Sequence, residues 1–496
     1  MRILLINPSS ELNIEAGKYR RFVSPLPPSG LAYIGAVLEA GGFEVFIEDQ
    51  FASQISNQQL LEKVKAIAPQ VVGFSCLTTA MNNVGFLVGQ IRKRHKDVKI
   101  ILGNIHPTLF AREVLERAGA DIAVRGEGEY SMLETACALR DGKPLEGIRG
   151  ISFKKAGEVV QNPDRELIRD LKVLPYPAWH LFDLSLYMNF TVIGVYNQTI
   201  LPVQASRGCP YRCYFCSQDK VYPVTRYRQV KDVVDEIEFL ADKFGVRNFG
   251  FNDAYFPFSV KHGMEFCEEL MRRGLHKKMK WITETRVDKV SLELLVKMKE
   301  AGLRLILYGF ESGNQRILDL INKAATLEQA REAAAMTKKA GIFISGLFIL
   351  GLPGETRQTC LDTIRFAKEI DPEIAKFNIA VPFPGSRFFE DQKEKLGGSA
   401  EYRKFSSWYD FYSAKGNLIY SPDSIGSEEL RNLQRKAMFE FYLRPAKVWR
   451  HLTGGIFPLR DLLYGFYVLM DNYSRFILDR LAYGFRGAPR FFSRRR

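Results

Sequence analysis

Histidine is scarce in this chain, with six among 496 residues. None lies between His180 and His262, so that stretch has no imidazole to complete a mixed Cys/His zinc site. Cysteine is nearly as rare, and seven thiols without paired spacing exclude a disulfide framework. No apolar run reaches the roughly 20 residues of a membrane-spanning helix. Low-complexity tracts are missing, and so are repeats beyond an alternation of strand-like and helix-like segments. No basic and apolar leader precedes the strand-like Arg2-Ile3-Leu4-Leu5-Ile6-Asn7, which predicts a protein that is not secreted. A hydrophobic fraction of 46% with 25% charged residues places the chain among ordinary folded proteins, and its length suffices for two or three domains.

Positive charge is unevenly placed. Residues 431–496 hold 14 Lys and Arg against 4 Asp and Glu, which accounts for 10 of the net charge of +14. The rest is nearly balanced, unlike a uniformly basic nucleic-acid binder, so no nucleic-acid partner is expected.

Three of the seven cysteines fall in Ser206-Arg207-Gly208-Cys209-Pro210-Tyr211-Arg212-Cys213-Tyr214-Phe215-Cys216, spaced Cys-x-x-x-Cys-x-x-Cys. Thiolates so close can converge on one iron–sulfur cube, and three of them leave one iron open to a small molecule. A structural zinc site would need a second cysteine pair or a nearby histidine. The loop, with Phe215 just before its last cysteine, resembles the signature of the radical S-adenosylmethionine (SAM) superfamily. That resemblance implies a [4Fe–4S] cluster on Cys209, Cys213 and Cys216, its open iron chelated by the amino and carboxylate groups of SAM. Cys76, Cys137, Cys267 and Cys360 read as core residues.

Apolar segments at 3–7, 43–47, 71–75, 100–102 and 122–124 alternate with helical ones, and their lack of polar alternation predicts a parallel sheet buried on both faces. A five-stranded, doubly wound, Rossmann-like domain over residues 1–145 follows. Its ligand belongs at the carboxyl ends of the strands. There Ser75-x-Leu77, separated by 25 residues from Gly103-Asn104, resembles the Ser-x-Leu…Gly-Gly part of cobalamin-binding domains. The resemblance implies that Ser75, Leu77, Gly103 and Asn104 line a cobalamin site, although Asn104 departs from the second glycine. The Arg125-Gly126-Glu127-Gly128-Glu129 loop is typical of cobalamin-binding radical SAM enzymes and adds Glu127. No Asp-x-His-x-x-Gly follows the first strand, and His106 stands in the wrong loop. Cobalt without a protein histidine ligand is therefore expected. The long connection over residues 9–29 is a candidate cover for the cofactor.

Residues 146–194 read as a linker containing a hairpin (151–154 and 159–161) and a Pro-rich aromatic stretch. Alternation resumes over 195–400, with strands at 203–205, 248–251, 281–283, 305–310, 343–350 and 377–381. Six repeats predict a partial (β/α)6 TIM-like barrel with its chemistry at the carboxyl ends of the strands. By resemblance Asp253 lies near the methionine ammonium of SAM, Glu311 and Ser312 near its ribose or methionine end, and Phe215 beside adenine. Arg286 stays open between a SAM carboxylate and Glu284, and Glu355 reads as a capping residue. No catalytic residue is assigned.

The predicted class is therefore α/β throughout residues 1–400, with a mostly helical, basic extension over 401–496. Leu459, Leu462, Leu463, Phe466, Leu469, Met470, Tyr473, Phe476, Ile477 and Leu481 follow a 3.6-residue stripe. It suits either a helix packed on the body or, with the terminal arginines, a peripheral helix on an anionic membrane face. The whole architecture resembles the cobalamin-dependent radical SAM enzymes, of the class B methyltransferase type. That resemblance implies methylation of an unactivated carbon through a 5′-deoxyadenosyl radical and methylcobalamin. Radical cyclisation or ring rearrangement with the same cofactors is the second reading, and a cobalamin-binding sensor the third. A cytoplasmic enzyme is expected, taking electrons from a flavodoxin or ferredoxin and acting on a small-molecule or lipid-like substrate.

Overall fold

The computed structural model describes residues 1–10, 25–189, 198–394, 418–453, 459–460, 462–468 and 470–471. Seven strands form the first sheet: β1 (Arg2–Asn7), β2 (Glu44–Asp49), β3 (Val71–Ser75), β4 (Lys99–Gly103), β5 (Ile122–Val124), β6 (Ile151–Lys155) and β7 (Glu158–Gln161). Their order is β2-β1-β3-β4-β5-β6-β7. The first five are parallel. The unbroken apolar run of β1 has a plain cause. Ile3 and Leu5 pack on one face with Leu31, Ala32 and Leu38 from the helix Ser29–Ala40. Leu4 and Ile6 pack on the other, with Leu60, Val64, Val84 and Leu87. Strand order reverses at β1, so the ligand crevice of such a sheet lies at the carboxyl ends of β1 and its neighbours.

The hairpin β6–β7 does not hang in a linker. It pairs antiparallel with β5 and extends the sheet. Buried Arg125 fastens it, with Nη1 donating to the Ile151 carbonyl at 2.8 Å and Nη2 to the Asn162 carbonyl at 2.6 Å. A two-stranded ribbon, β8 (Met188–Asn189) with β9 (Gln198–Thr199), then leads to the second sheet.

That sheet contains β10 (Leu201–Val203), β13 (Asn248–Phe251), β14 (Lys280–Thr285), β15 (Leu303–Glu311), β16 (Phe343–Leu350) and β17 (Ile374–Ile379), in that order and all parallel. It is a six-stranded open barrel. Its first strand lies two residues earlier than the sequence pattern suggests. The chain leaves the sheet after Val203 because the Ala205 amide donates to Asp253 Oδ2 at 3.1 Å. It then enters a separate ribbon, β11 (Ser206–Arg207) with β12 (Arg226–Tyr227). The helices behind the sheet are started by side chains, as at Thr326 and Thr356, which both form capping boxes.

The helix Ser427–Tyr442 covers the edge strand β17. Leu430, Leu433, Ala437 and Phe441 are buried, Gln434 Nε2 donates to the Phe377 carbonyl at 2.8 Å, and the Tyr442 hydroxyl donates to the Ala375 carbonyl at 2.9 Å. Part of the basic surplus has an internal use. Arg444, Lys447 and Arg450 converge on Asp371. Burial opposes ionisation of that carboxyl, but Arg450 and Lys447 outweigh it and hold it down at about 2. Of the apolar stripe, Leu459, Leu463, Phe466 and Met470 are exposed, while Leu469 and residues 472–496 lie outside the described residues. No helix among the described residues is long and apolar enough to cross a membrane.

Candidate active site

The cysteine loop leaves β11 through Gly208, whose φ is +96°. A Cβ there would meet the Val224 carbonyl oxygen at 2.7 Å, so only glycine turns the chain here. The loop is pinned from the far side of the barrel. The Tyr214 amide donates to the Ile321 carbonyl at 2.9 Å, and Asn322 Nδ2 to the Arg212 carbonyl at 3.0 Å. The Tyr214 ring stacks on Phe388 at 5.6 Å, with its hydroxyl donating to Asp391 Oδ2 at 2.7 Å. Cys209 and Cys213 are half-buried and Cys216 is exposed. Burial pushes all three thiols up; Lys323 and Arg286 pull Cys209 and Cys213 back down.

Those two cations are held in place. Lys323 Nζ sits 2.7 Å from Glu311 Oε1. Burial works against its charge, yet Glu311 and Cys213 outweigh it and raise its pKa. Glu311 ends β15 at a register shift with φ +62°, and Gly309 leaves the space that the Glu311–Lys323 pair fills. Arg286 does not pair with Glu284. Its guanidinium lies 3.6 Å from the Tyr211 ring centroid and donates to Asp288 and to the Lys323 and Ala324 carbonyls.

The other SAM candidates divide. Phe215 joins Leu352, Ala380 and Phe388 in an apolar patch at the carboxyl ends of β16 and β17. The Asp253 carboxylate accepts from Ser206 Oγ at 2.6 Å and from the Ala205 amide; burial pushes it up to about 7. Ser312 is buried against Thr363 Oγ1 at 3.2 Å, inside the wall. Glu355 accepts from the Gly351 and Leu352 amides and is likewise pushed up to about 7 by burial. Cys76, Cys267 and Cys360 are buried and Cys137 half-buried.

In the first domain, Asn104 (φ +84°) donates from Nδ2 to Ser75 Oγ at 2.9 Å, which joins the ends of β3 and β4. Leu77 is 52% exposed beside them. A Cβ on Gly103 would meet only Val124, at 3.8 Å, so the outer side of that glycine is open. His106 is buried, its ring 4.9 Å from Phe110 and its Nδ1 3.2 Å from Thr78 Oγ1. The predicted cover loop lies mostly outside the described residues.

Glu127 is turned toward the barrel. Its Oε1 accepts from Arg207 Nη1 at 2.8 Å, and its Oε2 from Arg226 Nη1 and the Ile168 amide, each at 2.8 Å. Glu129 Oε1 accepts from Arg207 Nη2 at 2.6 Å, and Tyr33 lies against the same guanidinium. Arg207 is two residues before Cys209, so the 125–129 loop and the cysteine loop are bound to each other by a buried ionic cluster. Sequence reading missed Arg207, Arg226 and Lys323. Only Arg207, beside the cysteine motif, carried any signal. Glu284 on β14, read from sequence only as a possible partner of Arg286, and Lys376 on β17, which carried no signal, face the barrel hollow, solvent-reachable but flanked by protein. Burial and then Glu311 push Glu284 up to about 7, and burial lowers Lys376.

Among the described residues no three His, Cys, Asp or Glu side chains stand close enough to hold one metal ion. A four-iron cube differs, because each thiolate takes its own iron. The chemistry of the set fits it: three thiols on one loop, with two cations beside them to offset the cluster's negative charge.

Two families match the chain: the B12 binding domain over residues 20–136 and the radical SAM superfamily over 203–367. An uncharacterized methyltransferase of Pyrococcus horikoshii is 32% identical over 90% of this chain and 93% of its own. The anaerobic magnesium-protoporphyrin IX monomethyl ester cyclase of Rubrivivax gelatinosus is 31% identical, covering 90% and 78%. The chain is a cobalamin-dependent radical SAM enzyme. Its cofactors are a [4Fe–4S] cluster, SAM and cobalamin. Solved structures agree in fold. The methyltransferase TsrM from Kitasatospora setae, with cobalamin and [4Fe–4S] cluster bound, superposes with a TM-score of 0.64 at 20% identity over 80% of this chain and 75% of its own. The cobalamin-dependent radical enzyme OxsB reaches 0.65 at 17% identity over 96% and 72%.

Proposed function

We propose that this radical SAM enzyme methylates an unactivated carbon of a small molecule bound in the barrel hollow. The observation that carries the reading is the buried Arg207–Glu127–Glu129 junction, which ties the cysteine loop to a loop of the cobalamin-binding domain. With the two loops held together by that junction, a substrate carbon in the hollow is addressed from both sides. When bound, the cluster and SAM supply hydrogen abstraction, and cobalamin supplies the methyl group.

The chain's own residues bind, orient and exclude water. Cys209, Cys213 and Cys216 hold the cluster. Lys323 and Arg286 offset its charge, and Glu311 fixes Lys323. Phe215 and its apolar neighbours give adenine a dry wall. Asp253 acts through Ser206, holding the start of the cysteine loop. Ser75, Leu77, Gly103 and Asn104 form the open surface for the cobalamin tail, with Glu127 as a positioning residue behind it. Glu284 and Lys376 supply two groups in the hollow able to recognise a polar substrate. An acidic one-electron donor, flavodoxin or ferredoxin, completes the cycle.

Matches to both methyltransferases and cyclases make cyclisation the second reading. Anaerobically reconstituted enzyme, methyl-deuterated SAM, cobalamin, a reductant and a small-molecule cell extract decide between them. Methylation is expected to give a product carrying the deuterated methyl group. Consumption of a substrate into an unlabelled product with altered ring count would instead establish cyclisation.

A further inference from the structure

Far from this site, Arg247, Lys278, Lys280, Lys299 and Arg304 surround a cleft of about 850 Å³. It lies at the opposite end of the barrel. Asn248, Lys280 and Phe343 are the first residues of β13, β14 and β16, and Arg304 is the second of β15. The nine residues of β15, at a rise of about 3.3 Å per step, put about 26 Å between its two ends. The cleft therefore takes no part in the chemistry at the cysteine loop.

Its charge is one-sided. No carboxylate lines it, and among the described residues none of the five cations has a carboxylate partner. Lys299 Nζ donates to the Gly341 carbonyl at 2.6 Å. Lys280, Lys299 and Arg304 are half-buried, with Arg247 and Lys278 more exposed at the mouth. Burial lowers the pKa of Lys280 and Lys299, and Arg304 lowers both further. Like charges gathered in a partly dry cleft destabilise the fold, and a bound polyanion would turn that repulsion into charge-assisted hydrogen bonding. Leu184, Phe244, Val246 and Phe343 form an apolar wall beside the cations, and the volume suits a small ligand.

We propose that this cleft binds a phosphorylated small molecule carrying at least two phosphate charges, with its apolar or planar part against the Phe244–Phe343 wall. The site is separate from the SAM and cobalamin sites.

Calorimetric titration of full-length reconstituted enzyme with inorganic pyrophosphate and with ADP tests it, beside the double variant Lys280→Gln, Arg304→Gln. Both probes are expected to bind, ADP more tightly because of the apolar wall. Affinity for both should fall at least about tenfold in the variant, the equivalent of about 1.4 kcal/mol. A second reading separates binding from structure: without ligand the variant should melt no lower than the parent, since repulsion has been removed. Equal binding by parent and variant overturns the proposal, as does a dissociation constant weaker than about 1 mM for both probes. A lower melting temperature of the ligand-free variant, or binding of an acidic protein with no response to either probe, also overturns it.

Discussion

Lys323 brings an ammonium near two of the three thiols, Cys209 and Cys213, and it does so from a loop that no cysteine spacing points to. Its partner Glu311 reaches it only because β15 breaks register there and Gly309 has no side chain. A cation at that distance favours the more negative cluster state, so Lys323→Gln is expected to shift the cluster midpoint potential to more negative values without loss of iron. Potentiometric titration followed by electron paramagnetic resonance checks the sign. Replacing Cys209, Cys213 and Cys216 together by Ala should abolish about four irons per chain and the cluster's share of the visible absorption; unchanged iron would reject the assignment of the loop. A third consequence concerns pH. Burial raises Asp253, Glu284 and Glu355 from the ordinary carboxylate range to about 7. Each of these three carboxyls therefore binds more protons in the folded form than in the unfolded one between about pH 4 and 7, and its own contribution to stability falls as pH rises through that window. Glu355→Gln keeps an acceptor for the Gly351 and Leu352 amides but removes the titration. Its melting temperature should decline less between pH 5 and 8 than the parent's, and identical slopes would exclude Glu355 as a contributor.

At the scale of elements, the strands were legible because each repeats a local pattern that burial on both faces enforces, as Ile3-Leu4-Leu5-Ile6 does. The cysteine loop was legible because chemistry dictates its spacing. The hairpin β6–β7 was recognised as a hairpin but not as part of the sheet, since its fastening by Arg125 spans residues remote in sequence. The same holds for the domain junction. Arg207 is 3% exposed and Glu127 2%, and nothing in the local sequence of either announces the partner 80 positions away. Removing one partner of such a buried pair leaves an uncompensated charge and typically costs about 3–5 kcal/mol. Arg207→Met is thus expected to lower unfolding stability by that amount in denaturant titration. It should also weaken the coupling of the two sheets, read as separate transitions in place of one. A loss below about 1 kcal/mol would mean that the junction is solvated and holds nothing.

On the scale of the whole molecule, the two cofactor sites constrain each other through cobalt. A protein imidazole on cobalt would change its reactivity, so the presence or absence of such a ligand matters for the entire cycle. Of the histidines in the first domain, His106 is nearest in sequence to the Gly103-Asn104 turn. It is the second residue of a short helix, Ile105–Leu109, but its ring is directed inward against Phe110 and Thr78. Burial pushes it down to about 3, which keeps it neutral as a core side chain. Reaching the open side of Gly103 would require that helix to unfold and Thr78 to lose its partner. The enzyme loaded with cob(II)alamin is therefore expected to give an electron paramagnetic resonance spectrum without nitrogen splitting from a protein imidazole. His106→Phe, close in shape and still able to pack on Phe110, should leave that spectrum unchanged. A nitrogen splitting present in the parent and absent from the variant would place His106 on cobalt and reverse the expectation of cobalt without a protein histidine ligand.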